Sequence, residues 1–203
     1  MTVQERFREA FGPMLGHTSR WQGFLSIYST LADKGRAVRI VETGCARAIG
    51  NWEGDGQSTL LWGWVTRELG GKATSVDISA TNAAIARSLA PSVEVVVSDS
   101  VAYLRLLPDA EDVDLLYLDS FDYHEGAEQS ARHHLLELQA IYDRLPVGCL
   151  IAVDDCFSPE EGKHFLIRGV LLDAGIKPLL ESYITIWEKP EGSRTWAEME
   201  RRD

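Results

Sequence analysis

The sequence predicts an α/β fold, a mostly parallel sheet with helices on both faces, within one chain of 203 residues. Three observations carry this reading. Short β-branched apolar runs alternate with helical patterns, and strands joined through helices of roughly a dozen residues run parallel. The last two apolar runs are separated only by a few residues around Glu181, Ser182 and Tyr183, a spacing that suits a hairpin and so one antiparallel strand. Nearly every predicted strand ends in a carboxylate, and in open α/β sheets ligands bind beyond the carboxyl ends of the strands.

The elements follow in order. Thr18 or Ser19 can cap a helix whose apolar residues Trp21, Phe24, Leu25, Tyr28 and Leu31 recur at helical spacing, with Gly35 as its stop. A first strand over 37–43 leads into a glycine-rich loop and a helix over 57–71 that ends at paired glycines. The second strand covers 72–79, after which Ser79 can cap a helix that stops before Pro91. Strands over 93–98, 113–119 and 149–155 alternate with a short helix at 101–107, a long one at 126–145 and another at about 160–174. Two more strands are expected around Lys177–Ser182 and Tyr183–Lys189. This organisation reads as an N-terminal helical extension (1–35), a main domain (36–190) and a surface tail (191–203).

Composition narrows the function. Acidic residues outnumber Lys and Arg by 31 to 20, a net charge of −11. A sequence-independent grip on nucleic acid or on an anionic membrane needs clustered positive charge, so neither partner is expected. Three cysteines, Cys45, Cys149 and Cys156, form no CxxC pair, which speaks against disulfides or structural zinc and for a reducing cytoplasm. Cys45 has no evident base beside it and is not expected to be a nucleophile. His133 and His134 read as a solvated face of the long helix, and Trp52, Trp62 and Trp64 as packing residues.

The chemistry should sit at the strand ends. The loop 42–59 carries glycines at 44, 50, 54 and 56, with Ser58 and Thr59 opening the next helix, where backbone N–H groups are free for a ligand. It lacks the lysine of a phosphate-binding P-loop, and GxGxxG is absent. Its acids Glu42, Glu53 and Asp55 suit a ligand with a positive centre; the bland alternative is a surface turn. Asp77, with Ile78 beside it, ends the second strand, where a carboxylate can accept both hydroxyls of a ribose or simply cap the next helix. Asp99 and Ser100 can receive an adenine amino group, or cap in their turn.

On the segments VETGCAR, SVDIS and VVSDS, the chain resembles class I S-adenosylmethionine-dependent methyltransferases, of the small type related to catechol and macrocin O-methyltransferases. The resemblance covers about residues 36–190. It implies a Rossmann-like seven-stranded sheet in the order 3-2-1-4-5-7-6. It also implies a cofactor held by Glu42, Thr43, Gly44, Ser58, Thr59, Asp77, Ile78, Asp99, Ser100 and Asp119. The first loop departs from the family by about ten extra residues. In metal-dependent members an aspartate after strand four and a pair after strand five hold magnesium, which here implies Asp119, Asp154 and Asp155, with capping or a salt bridge to a basic neighbour as the alternative. The family's lysine base a few residues past the strand-four aspartate has no counterpart, so His124 is the candidate base, with Asp119 as its catalytic companion.

The expected activity is therefore metal-assisted O-methylation of a small-molecule hydroxyl. A non-catalytic S-adenosylmethionine-binding module and an oxidoreductase or hydroxylase on the same framework are the alternatives. The helices of 1–34 are expected over the mouth of the site, where they would shape acceptor choice or a homodimer contact.

Overall fold

The computed structural model describes residues 1–201. Six strands form one sheet in the order β3-β2-β1-β4-β5-β8: β1 (Val38–Thr43), β2 (Gly71–Asp77), β3 (Glu94–Val97), β4 (Leu115–Leu118), β5 (Leu150–Val153) and β8 (Thr185–Glu188). All pairings are parallel except that of β5 with β8. The α/β class and the antiparallel strand beside strand five are as the sequence predicts. The seventh strand is not there. Lys177–Ser182 contributes only a bridge between Leu180 and Ile186, because Pro178 has no N–H for a ladder and the chain turns at once through Ser182, whose hydroxyl donates to Ile184 O at 2.8 Å.

Side-chain alternation along the strands builds two cores. On one face Ile40, Tyr117, Leu150 and Ala152 meet α1 (Val3–Leu15), α2 (Trp21–Asp33), α3 (Ser58–Leu69) and α4 (Ala80–Leu89). On the other, Val41, Leu116, Leu118, Ile151 and Val153 meet α5 (Ser100–Leu106), α6 (Ala127–Ile141), α7 (Phe165–Asp173) and α8 (Trp196–Glu200). The helix α1 starts at a capping box in which Thr2 Oγ1 accepts from Glu5 N at 3.2 Å and Thr2 N donates to Glu5 Oε2 at 2.7 Å. No side chain caps α2; Thr18 donates instead to Leu15 O.

Two further expectations are corrected. The helix foreseen from residue 160 begins at Phe165, because an antiparallel ribbon of β6 (Cys156–Ser158) and β7 (Glu161–Gly162) precedes it. The tail is not wholly surface either: Trp196 is buried against Tyr142, with ring centroids 5.6 Å apart. Arg202 and Asp203 lie outside the described residues. Among the described residues no helix is long and apolar enough to cross a membrane.

The first two helices share the sheet's own core and do not form a detached cover. Phe7 is fully buried, stacked on Tyr28 at 5.3 Å and edge-on to Trp64 at 6.1 Å. Phe7→Ala should therefore destabilise the whole chain by about 3–5 kcal/mol, the range for a buried aromatic. Urea unfolding measures this, and a loss below about 1 kcal/mol would mean that α1 is not part of the cooperative unit.

Candidate active site

A cavity of about 430 Å³ opens beyond the carboxyl ends of β1, β2, β3 and β4. The first loop forms one wall. Gly44 has φ +81, and a Cβ there would stand 2.5 Å from Asp119 O, so only glycine lets β1 turn this close to the end of β4. Behind this turn lies Glu42, 1% exposed. Thr59 Oγ1, Ser75 Oγ and Trp62 Nε1 lie at 2.6, 2.7 and 3.0 Å from its carboxyl oxygens, tying β1 to β2 and α3. Asp55, also buried, holds the loop's far end by accepting from Gln57 N and Nε2 and from Arg47 N.

The sequence-predicted residues divide into two groups. Gly44, Ser58, Asp77, Ile78, Asp99, Ser100 and Asp119 line the cavity. Glu42, Thr43 and Thr59 do not. Glu42 and Thr59 are spent on each other, and the buried Thr43 uses its carbonyl to accept from Asp119 N at 3.0 Å. Asp77 Oδ1 accepts from Ser79 N at 2.7 Å, and its Oδ2 accepts the Cys45 thiol at 3.3 Å. Asp99 caps α5 through Ala102 N at 2.8 Å. Asp99 thus caps a helix and lines the cavity, while Asp77 lines it from the turn before α4, whose cap is Ser79. The Cys45 thiol stays protonated, since burial raises its pKa and Asp77 adds to the effect.

His124 is not brought into this site. It is exposed and set edge-on to Tyr123, at 6.1 Å, while its neighbours Asp122 and Glu125 line the cavity. The adjacent histidines of α6 are also not a solvated face. His133 lines the cavity, with Nε2 3.1 Å from Ser100 Oγ and 3.3 Å from Glu137 Oε1; the bond to Glu137 raises its pKa. His134 is fully buried with Nδ1 donating to Ser130 O, and burial holds its pKa down to about 4. Adjacency on a helix points two side chains in different directions, and neither direction here is solvent.

The metal expectation meets a different arrangement. β5 ends at Val153, and Asp155 adopts φ +52, so Asp154 and Asp155 both turn toward one place. That place is filled by protein cations. Arg20 donates from Nε to Asp154 Oδ2 at 2.8 Å and from Nη2 to Asp155 Oδ1 at 2.9 Å. Lys163 Nζ donates to Asp119 Oδ1 and lies 2.9 Å from Asp155 Oδ2. Among the described residues no group of three acids, histidines or cysteines is placed to hold a metal. Carboxylates already engaged by an ammonium and a guanidinium do not fit a magnesium site, and the salt-bridge alternative is the one the structure contains. Neither Arg20 nor Lys163 carries a motif; Arg20 lies 134 residues from Asp154, and Lys163 lies 44 residues from Asp119.

A family profile described as a methyltransferase domain matches residues 49–156, more than half of the chain. The chain belongs to the methyltransferase-domain family. Among curated proteins none matches it. TrmN from Thermus thermophilus is 16% identical over 82% of this methyltransferase-domain chain and 48% of its own, with a TM-score of 0.54. The N-methyltransferase NodS from Bradyrhizobium japonicum is 13% identical over 85% of this chain and 97% of its own, with a TM-score of 0.51. An amino pentose methyltransferase from Micromonospora echinaspora, bound to S-adenosylmethionine, is 15% identical over 76% of this chain, with a TM-score of 0.48. The methyltransferase-domain chain spans 58% of that protein's length. The likenesses to TrmN and NodS concern the fold.

The buried Glu42 gives the domain a pH signature. Ser75 has one hydroxyl hydrogen and two oxygens at 2.7 Å, Glu42 Oε2 and Gly44 O. Both contacts are hydrogen bonds when Glu42 carries a proton. Burial, opposed only in part by its hydroxyl and indole donors, pushes its pKa from 4.5 up to about 7. The stability this contributes is full below pH 4.5 and is lost as pH rises through 7, at most about 3 kcal/mol. His134 and His164, held down to about 4 by burial, titrate in the opposite sense. The difference between wild-type and Glu42→Gln stability profiles therefore isolates Glu42. It should slope between pH 4.5 and 7, and a flat difference would show that Glu42 is charged throughout.

Proposed function

We propose that the chain transfers a methyl group from S-adenosylmethionine to a hydroxyl of a small-molecule acceptor. The observation that carries the cofactor half is the cavity itself: the Gly44 turn, the Asp77 carboxylate and the Asp99, Ser100 and His133 group share one wall system of about 430 Å³. The close approach at Gly44 and the carboxylate lining fit a nucleoside with a cationic centre. When bound, S-adenosylmethionine would supply an electrophilic methyl group. Asp77 would accept from the ribose hydroxyls, while Asp99, Ser100 and His133 would meet the adenine. Ser58, at the N-terminus of α3, would offer its side chain and backbone to the cofactor's amino-acid end.

The protein's work in such a transfer is positioning. Asp119 Oδ1 is committed to Lys163, while no described residue donates to Oδ2, which leaves it to accept the hydrogen of an acceptor hydroxyl. A second reading is an amine acceptor. It is favoured by the charge of the acceptor end, where Asp55, Asp119, Asp122 and Glu125 line the cavity and Arg47, which also lines it, is held by Asp122 at 2.6 and 2.8 Å. A sensor without turnover would share the cofactor half alone.

Calorimetry with S-adenosylmethionine, its demethylated product and NAD tests the cofactor half. Asp77→Ala should weaken S-adenosylmethionine binding by about 1.5–3 kcal/mol, the value of hydrogen bonds to a charged group. An unchanged dissociation constant in the folded variant would remove Asp77 from the cofactor. Labelled methyl transfer to panels of hydroxyl and amine acceptors then separates O- from N-methylation and enzyme from sensor. In that assay His124→Ala should retain wild-type turnover, since the side chain faces solvent; a loss of about 10²-fold or more would restore it as a base.

A further inference from the structure

The cluster at the ends of β4 and β5 is electrically organised from within the chain. Asp154 Oδ1 accepts from Asp155 N at 2.7 Å, and Asp154 Oδ2 accepts from Arg20 and from Tyr117 OH, each at 2.8 Å. Asp155 Oδ1 accepts from Arg20 at 2.9 Å and Tyr183 OH at 2.7 Å, and Asp155 Oδ2 faces Lys163. Asp119 Oδ1 also accepts from Lys163. Of the six carboxylate oxygens only Asp119 Oδ2 is without a donor among the described residues, and Asp119 lines the cavity.

Lys163 is the unusual member. It is 1% exposed, and a buried ammonium persists only where carboxylates compensate its lost hydration. The chain spends a dedicated element on placing it. The ribbon of β6 and β7 folds back on the end of β5, with Lys163 N donating to Asp155 O at 3.2 Å. At Gly162, φ is +137 and a Cβ would stand 2.6 Å from Asp155 O, so this approach admits only glycine. Lys163 thus lies between Asp119 and Asp155, where an ion bridging the two strand ends would have to sit.

We infer that Lys163 is a built-in counter-ion that takes the place of a divalent cation between Asp119 and Asp155, so that this site works without metal. It is a positioning residue. Its ammonium fixes one oxygen of Asp119 and thereby aims the other at the acceptor. Arg20 engages one oxygen of each carboxylate in the pair behind it. The catalytic half of this inference rests on the methyltransferase reading above; the cation half rests on the cluster alone.

The test is manganese binding, followed by the paramagnetic resonance of the free ion, on wild type and on Lys163→Ala, alongside calorimetry with S-adenosylmethionine. Wild type should bind no manganese, and excess chelator should leave its turnover unchanged. Lys163→Ala should gain a manganese site that is lost again when Asp119→Asn is added. The single variant should also lose roughly 10²-fold in turnover, from misplacement of Asp119, with partial rescue by manganese. Stoichiometric manganese binding by wild type, or silencing by chelator, overturns the inference. So does a folded Lys163→Ala that binds S-adenosylmethionine and gains no manganese site. If that variant does not fold, the two wild-type measurements still decide. Failure of wild type to bind S-adenosylmethionine would defeat the cofactor reading instead and leave the manganese result standing.

Discussion

The buried pair of Arg20 and Asp154 is the interaction on which the arrangement of the site depends. Arg20 is 3% exposed and Asp154 is fully buried. Removing such charges from water costs several kcal/mol each, and the attraction and hydrogen bonding within the pair offset that cost. The guanidinium also donates to Glu53 O at 2.9 Å and lies over the Tyr183 ring at 4.8 Å. One side chain therefore joins the segment between α1 and α2, the first loop and the end of β5. Gly56 makes room for it, since a Cβ there would meet Arg20 Cδ at 2.6 Å. The extra residues of the first loop, and the two helices ahead of the sheet, are joined at this one guanidinium.

A second layer of polar groups supports the cofactor side of the cavity. Glu42, Thr59, Ser75 and Trp62 form a closed set beneath the Gly44 turn, and Ala46 N donates to Thr59 Oγ1 at 2.9 Å. The cavity wall is thus shaped from behind by residues that never reach it. The two layers meet at Tyr117 on β4, whose ring lies 5.1 Å from Trp62 and whose hydroxyl reaches Asp154.

Much of this was legible in the sequence, and the limits were physical. Strand and helix order followed from β-branched runs and helical spacing, and the carboxylates at the strand ends marked the cavity. Asp77 and Asp99 were visible because each stands at or just after the end of a strand. For Asp99 the capping of α5 and the place in the cavity wall are the same geometry. What periodicity does not encode is which distant cation meets which carboxylate. Arg20 and Asp154 are 134 residues apart, and Lys163 and Asp119 are 44 apart. Asp154 and Asp155 could be read as ligands or as partners of basic residues, and only the three-dimensional approach of Arg20 and the return of the β6–β7 ribbon select the second. Glu42 was placed one layer too far forward for a related reason. A strand-end acid looks the same in sequence whether it faces a ligand or a hydroxyl behind the wall.

The vestige left where a seventh strand was expected changes how the sheet ends. β8 is an edge strand of only four residues, and an edge offers unpaired N–H and carbonyl groups to any extended chain that approaches it. In an antiparallel pair every second residue turns its backbone outward. On β8 Ile186 is such a residue: its N–H donates to Leu180 O at 2.9 Å, and its carbonyl accepts from Leu179 N at 2.8 Å. Two residues of otherwise irregular chain thus occupy the middle of the open edge, and Pro178 ends that cover before it can become a strand inviting a further neighbour. The sheet is closed to lateral growth on this side by a plug shorter than the strand it replaces.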